Sequence, residues 1–198
     1  CLMQIGDKDV DTDYFRMGVN VSGMQIRMRT ADSGGGTNID TTTTYSTNTW
    51  TFAAVVQRTS TDRDVYINTS SPVNDTTDIT PAGADRISIG REGDSTPGDS
   101  WSGNIAHAAV WSTDLSDDEI RSLAQGFSPL FVDPVNLVAY YPLLRTDKDW
   151  VGGYDLTAYN TPSWGTTHPP VIMPAPVYYS FPGVSATLEQ EGFRWRKD

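Results

Sequence analysis

Residues 103–126, "GNIAHAAVWSTDLSDDEIRSLAQG", decide how the rest of the chain is read. The first part, up to Trp111, is an apolar run of strand length; the second carries the start and stop signals of one short helix. Ser116 stands where an N-cap belongs, and Glu119 three residues later completes the S-x-x-E capping box. Asp117 and Asp118 fall at the positive end of the helix dipole. Ile120, Leu123 and Ala124 share one stripe, Leu115 can staple onto the first turn, and Gly126 supplies the left-handed stop. So short a helix needs its apolar stripe for the core, which predicts a plug packed on a sheet and not a recognition element.

Outward from that pair, the chain reads as strands. "LMQIG", "DYFRMGVN" and "GMQIRMRT" have the period-two rhythm of half-buried strands, with Met24, Ile26 and Met28 on one face and Gln25, Arg27 and Arg29 on the other. The tract "TADSGGGTNIDTTTTYSTNTW" predicts a long solvated loop leading into an edge strand. "WTFAAVVQR" predicts an interior strand, "DVYINTS" a strand with Val65 and Ile67 on one face, and "DRISIG" another. "GNIAHAAVW" predicts a core strand, with "NLVAYYPLL" and a weaker "YDLTAY" to follow. Trp50 and Trp111 are expected in the core.

The chain has 198 residues, enough for one well-buried domain, and a formal net charge of −11. That charge argues against nucleic acid or an anionic membrane as partner. All but four of the 25 acidic residues are aspartates, which suit turns more than helix faces. The single cysteine, Cys1, allows neither an internal disulfide nor a multi-cysteine zinc site. No apolar run approaches the roughly 20 residues that span a bilayer.

"THPPVIMPAP" places four prolines within eight residues, a composition that favours a stiff extended connector. The domain organisation expected is a domain over 1–168, a linker over 169–176, and the start of a second β segment over 177–198 in which Phe193 and Trp195 share a face. Such a chain reads as a piece of a longer polypeptide.

The ordered series "WTFAAVVQR", "DVYINTS", "DRISIGREGDSTPGDSWSGNIAHAAVWSTDLSDDEIRSLAQGFSP" and "NLVAYYPL" resembles the concanavalin-A-like, laminin-G-like jelly-roll family over most of residues 1–168. The resemblance implies an all-β fold, an antiparallel two-sheet jelly-roll sandwich with one short helix, followed by the proline-rich connector. Family members usually begin with further strands ahead of the equivalent of "MQIGD", so the domain is expected to lack its first strands, leaving an open sheet edge. Similar domains in phage and bacterial modular proteins imply an extracellular or virion-surface setting.

Jelly-roll glycosidases place paired glutamates on a strand, commonly E-x-D-x-x-E, and no such motif is present. Glu92 stands alone beside a glycine loop and Glu119 belongs to the cap. A lyase would want a tyrosine, a histidine and an arginine or lysine converging; His107 is one candidate base, but it sits among alanines in a core-like strand. A serine nucleophile lacks its glycine elbow. The reading is therefore non-enzymatic, with no catalytic residue assigned.

Calcium would be the cofactor, since hard cations need clustered oxygens and related jelly rolls often carry the ion at a sandwich rim. Its candidate ligands are Asp94 and Asp99 in "EGDSTPGD" and Asp147 and Asp149 in "TDKDWVGGYD". "DKDVDTD" imitates the opening of an EF-hand but lacks the glycine and the bidentate glutamate, and reads as an acidic hairpin turn. Sugars offer apolar C–H faces beside hydroxyls, so loop aromatics are the candidate ligand contacts: Trp101, Trp150, Tyr154, Tyr159 and Trp164. The function expected is recognition or adhesion by glycan binding; the alternative is a structural domain of a phage or surface assembly, packing against neighbouring subunits or copies of itself.

Overall fold

The computed structural model describes residues 1–174. They form β1 (Met3–Gly6), β2 (Tyr14–Asn20), β3 (Gln25–Asp32), β4 (Gly35–Thr44), β5 (Ala53–Thr59), β6 (Asp62–Ile67), β7 (Val73–Asp75), β8 (Arg86–Ile89), β9 (Ala108–Trp111), the helix α1 (Asp117–Ala124), a 3-10 turn (Pro129–Phe131) and β10 (Leu137–Tyr141). The strands pair in antiparallel fashion into a five-stranded sheet of order β4-β3-β2-β1-β8, a three-stranded sheet β5-β6-β7 and a β9-β10 ribbon. This is the all-β sandwich with one helix that the sequence implied.

Strand periodicity explains the layers. Val65 and Ile67 of β6 point into the space between the two larger sheets, where they meet Ile26 and Met28 of β3, with Met17 and Ile39 beside them. Tyr66 points the opposite way and joins Val56, Leu115, Ile120 and Val132 under the helix. The three-stranded sheet is therefore the middle layer, covered by the five-stranded sheet on one face and by α1 on the other. Each fully buried aliphatic side chain here contributes about 1.5–3 kcal/mol relative to exposure. Arg63, fully buried at the start of β6, is held by Asp75 at 2.8 Å and by the carbonyls of Ser60, Thr77 and Ile79.

The helix has its expected termini. The Ser116 side chain accepts the Glu119 N–H while the Glu119 carboxylate accepts the Ser116 N–H at 2.8 Å, and Gly126 adopts φ +94°.

Five local expectations change. The "TADSGGG" stretch is a tight reversal, with β3 ending at Asp32 and β4 starting at Gly35, and the threonines form the edge strand itself. Gly36 pairs with Ala31, whose Cβ would lie 3.0 Å from any Cβ added there, so the glycine lets two strands approach where a loop was expected. "GNIAHAAVW" is a strand only from Ala108, because His107 at φ 56° breaks the extended backbone. "YDLTAY" forms no strand, and Trp50 is 37% exposed at the start of β5's approach. β1 is not an edge, since it lies between β2 and β8; among the described residues the edges of the five-stranded sheet are β4 and β8.

The proline-rich stretch lies against the domain as far as it is described. Ile172 bridges to Phe127, donating its N–H to the Gly126 carbonyl at 2.7 Å and accepting from Ser128 at 3.0 Å. The expected second β segment, 177–198, lies outside the described residues.

Candidate functional site

After β10 the chain runs from Pro142 to Pro174 without a regular strand, and side chains bonded to backbone give it its shape. The Asp149 carboxylate is the centre of this segment. It accepts the N–H groups of Tyr140 at 2.8 Å and of Val151, Gly152 and Tyr154 at 3.0 Å each. Burial opposes its ionisation, but those backbone donors outweigh burial and hold the carboxyl below the usual aspartate range. Gly152 fits where no other residue would, since an added Cβ would fall 2.3 Å from the Val138 carbonyl oxygen. The Tyr141 hydroxyl donates to the Tyr154 carbonyl at 2.8 Å, and burial, reinforced by Asp149 and Asp155, pushes it up to about 12.

This segment holds four aromatic rings out in solvent: Trp150 is 45% exposed, Tyr154 61%, Tyr159 62% and Trp164 48%. Trp150 leans edge-on against Tyr140, ring centroids 5.8 Å apart. Tyr159 lies under the Arg91 guanidinium at 3.9 Å, a cation–π contact that ties the segment to the loop after β8. Trp101, the fifth predicted ring, differs from these four in exposure. It is half-buried, Gly103 packs on its indole, and its Nε1–H is shut away from solvent without a partner.

Neither predicted calcium pair, Asp94 with Asp99 or Asp147 with Asp149, belongs among the described residues to a group of three carboxylates close enough to share an ion. Asp149 is occupied by its backbone donors, Asp94 is buried and accepts the Thr96 N–H, and Asp99 lies 3.6 Å from the Arg16 guanidinium. Among the described residues, the three carboxylates near enough to share an ion are Asp7, Asp9 and Asp85. There the cation is already the chain's own: Lys8 Nζ lies 2.7 Å from both Asp9 and Asp85. The acidic turn "DKDVDTD" works as a clamp between loops. Asp11 accepts from Ser95 and Thr96, and Asp13 accepts the Ala82 N–H.

His107 is bonded through Nδ1 to the Tyr140 hydroxyl at 2.7 Å, and the His168 ring stands edge-on to it at 6.4 Å. Burial first, and His168 second, lower its basicity. Glu92 is partnered by Arg16, so the glutamate that stood alone beside its glycine loop is one half of an ion pair. Neither pairing could be read from the chain, because their members lie 33 and 76 residues apart and no local pattern links them.

Comparisons with known proteins bear on the fold. A search among curated proteins finds no match. A solved structure similar in part is an S-layer domain-containing protein from Clostridium thermocellum ATCC 27405, 21% identical over 61% of this chain and 60% of that one, with a TM-score of 0.35. Residues 2–121, which run from β1 into α1 and include both larger sheets, match the Laminin_G_3 profile, described as the concanavalin A-like lectin/glucanases superfamily. The chain belongs to that superfamily.

Proposed function

We propose that this domain is a non-catalytic recognition module that binds a glycan through the aromatic segment 150–164, as part of an extracellular or virion-surface modular protein. The observation that carries this reading is the exposure of Trp150, Tyr154, Tyr159 and Trp164 on one segment, whose first part, 150–154, is fixed by Asp149 and Tyr141 and whose Tyr159 is held against Arg91. Rings held out by a pre-set backbone lose little freedom when a sugar stacks on them. The superfamily takes in lectins and glucanases. Support for the lectin side comes from the glutamates, since Glu92 is tied to Arg16 and Glu119 to the helix cap. Neither is free to act as one of a catalytic pair flanking a glycosidic bond.

The test is a glycan-array screen of the protein beside its Trp150→Ala and Tyr159→Ala variants. Specific binding is expected, weakened roughly tenfold by Trp150→Ala, the loss of a stacking anchor. Binding indifferent to both substitutions would remove the segment from the site. No binding to any glycan, together with self-association at low concentration, would make this a structural assembly domain.

A further inference from the structure

The five-stranded sheet has a second face, turned away from the sandwich core. On it Arg16, Arg27, Arg29 and Asn38 alternate with the core residues Met17, Ile26, Met28 and Ile39. Arg16 and Arg29 are register partners on β2 and β3, and Asn38 is the partner of Arg29 on β4. Like charges set directly opposite each other destabilise a sheet unless something compensates them. Arg16 has Glu92, with Asp99 at 3.6 Å, and Arg27 holds Asp40 through two bonds of 2.7 Å. Arg29 has no carboxylate partner among the described residues. Its guanidinium lies 5.5 Å from the centroid of the Tyr14 ring, which Arg16 shares at 5.1 Å.

Gly18 carries no side chain between these arginines, and a groove of about 220 Å³ remains, lined by Arg16, Gly18, Arg27, Arg29, Asn38 and Asp99 together with Cys1 and Val19. That is below the roughly 300–1,000 Å³ that encloses a whole small ligand, so the groove suits one residue of a longer one. The geometry points to a binding site for the carboxylate of an acidic sugar residue, in which Arg29 forms the two-pronged bond and Asn38 meets a neighbouring hydroxyl. A guanidinium fork matches a planar carboxylate in shape as well as charge. The saccharide part rests on the glycan reading above, whereas the demand for an anion rests on Arg29 alone. The net charge of −11 does not forbid it, because at physiological salt charges beyond about 8 Å are screened and the groove's own arginines dominate. The loop after β8 adjoins both surfaces: Arg91 stacks on Tyr159, and Glu92, next in sequence, pairs with Arg16.

Asp99 sits on the rim of the groove with its side chain 68% exposed and opposes a bound carboxylate. It holds φ 43°, which asparagine tolerates, so Asp99→Asn removes the charge without backbone strain. At Gly18 the nearest atom to an added Cβ is the Cα of Cys1 at 3.9 Å, an ordinary contact, so the first carbon of a Gly18→Leu side chain fits and the rest projects into the groove.

The experiment is calorimetric titration of the protein with trisaccharides of galacturonic, glucuronic and mannuronic acid, their methyl esters, and a neutral galactose trisaccharide. At least one acid is expected to bind, its ester about tenfold or more weaker. Arg29→Gln and Gly18→Leu should each lose about tenfold in acid affinity, Arg29→Gln without a lower melting temperature, and Asp99→Asn should gain severalfold. Equal binding of acid and ester, or an acid affinity untouched by Arg29→Gln, overturns the anion site while leaving the glycan reading standing. No response to any of the acids overturns it also, and an accompanying blank glycan array removes the glycan reading as well. Binding of a sulfated trisaccharide in place of all three uronates counts against the carboxylate assignment.

Discussion

Residues 1–141 and residues 142–174 are held in place by different physics. In the first region, apolar side chains alternate along paired strands and meet across two sheets, so that Val65, Ile67, Ile26 and Met28 exclude water together. In the second, no regular strand forms, and one carboxylate gathers three backbone N–H groups of its own segment and that of Tyr140 in β10, while the Tyr141 hydroxyl, also from β10, fixes a carbonyl. The first arrangement is cooperative, since each buried group needs the others. The second is local, and its exposed rings contribute little to the core. A surface of this kind can change its side chains without disturbing the sandwich, which is what a recognition surface requires.

The largest effect should come from cutting the cooperative region. Ile67 is 1% exposed in the middle layer, and Ile67→Ala removes its contacts with the facing sheet. A loss of about 2–5 kcal/mol in urea denaturation is expected, with the whole domain unfolding in one transition. A loss under about 1 kcal/mol would mean that the two sheets do not share a core.

Asp149→Ala should act on the other side of the comparison. It leaves the N–H groups of Tyr140, Val151, Gly152 and Tyr154 without their acceptor, at a cost of about 1–3 kcal/mol felt locally. Hydrogen exchange should speed up at Val151, Gly152 and Tyr154 while the amides of β6 keep their protection. If both regions lose protection together, they are one cooperative unit.

What could be read from the sequence divides along the same line. The alternation in "MQIRMR" and "DVYINTS" located strands and inward faces, because a strand that buries one face must repeat every two residues. The capping box was legible for the same reason, as its chemistry lies within four residues. Beyond that reach the chain is silent. Val56 and Tyr66 give β5 and β6 a second buried face only because α1 lies over them. Glu92 reads as an isolated acid until the loop after β8 folds back onto Arg16. Among the predicted site residues, Trp150, Tyr154, Tyr159 and Trp164 stand exposed as loop composition suggests, whereas Trp101 does not, since the packing of Gly103 on its indole is set by the turn and not by the residue type. The groove at Arg29 had a sequence signal, the outward arginines of "MQIRMR", but its shape depends on Gly18 in a different strand.

The smallest effect tests the seam where the two regions meet. His107 precedes β9, bonds to Tyr140 of β10 and faces His168 of the later segment. Its basicity is lowered by burial and then by His168, so in the window between the lowered native value and the ordinary value near 6.5 the unfolded chain binds more protons than the folded one. Stability should therefore be complete above about pH 6.5 and decline as the pH falls below it. Asp149, whose carboxyl is also held low, adds a separate loss that begins only below about pH 4. Melting temperatures measured from pH 8 to pH 3 should thus show two descents, the upper one shallow. His107→Asn keeps a residue tolerant of φ 56° and cannot titrate in this range, so it should flatten the upper descent alone. Asp149→Asn should reduce only the lower one. A wild-type melting temperature that stays level between pH 7 and pH 5 would show that His107 is as free to take a proton in the folded protein as in the unfolded chain, and that the later segment does not press against β9 and β10 as described.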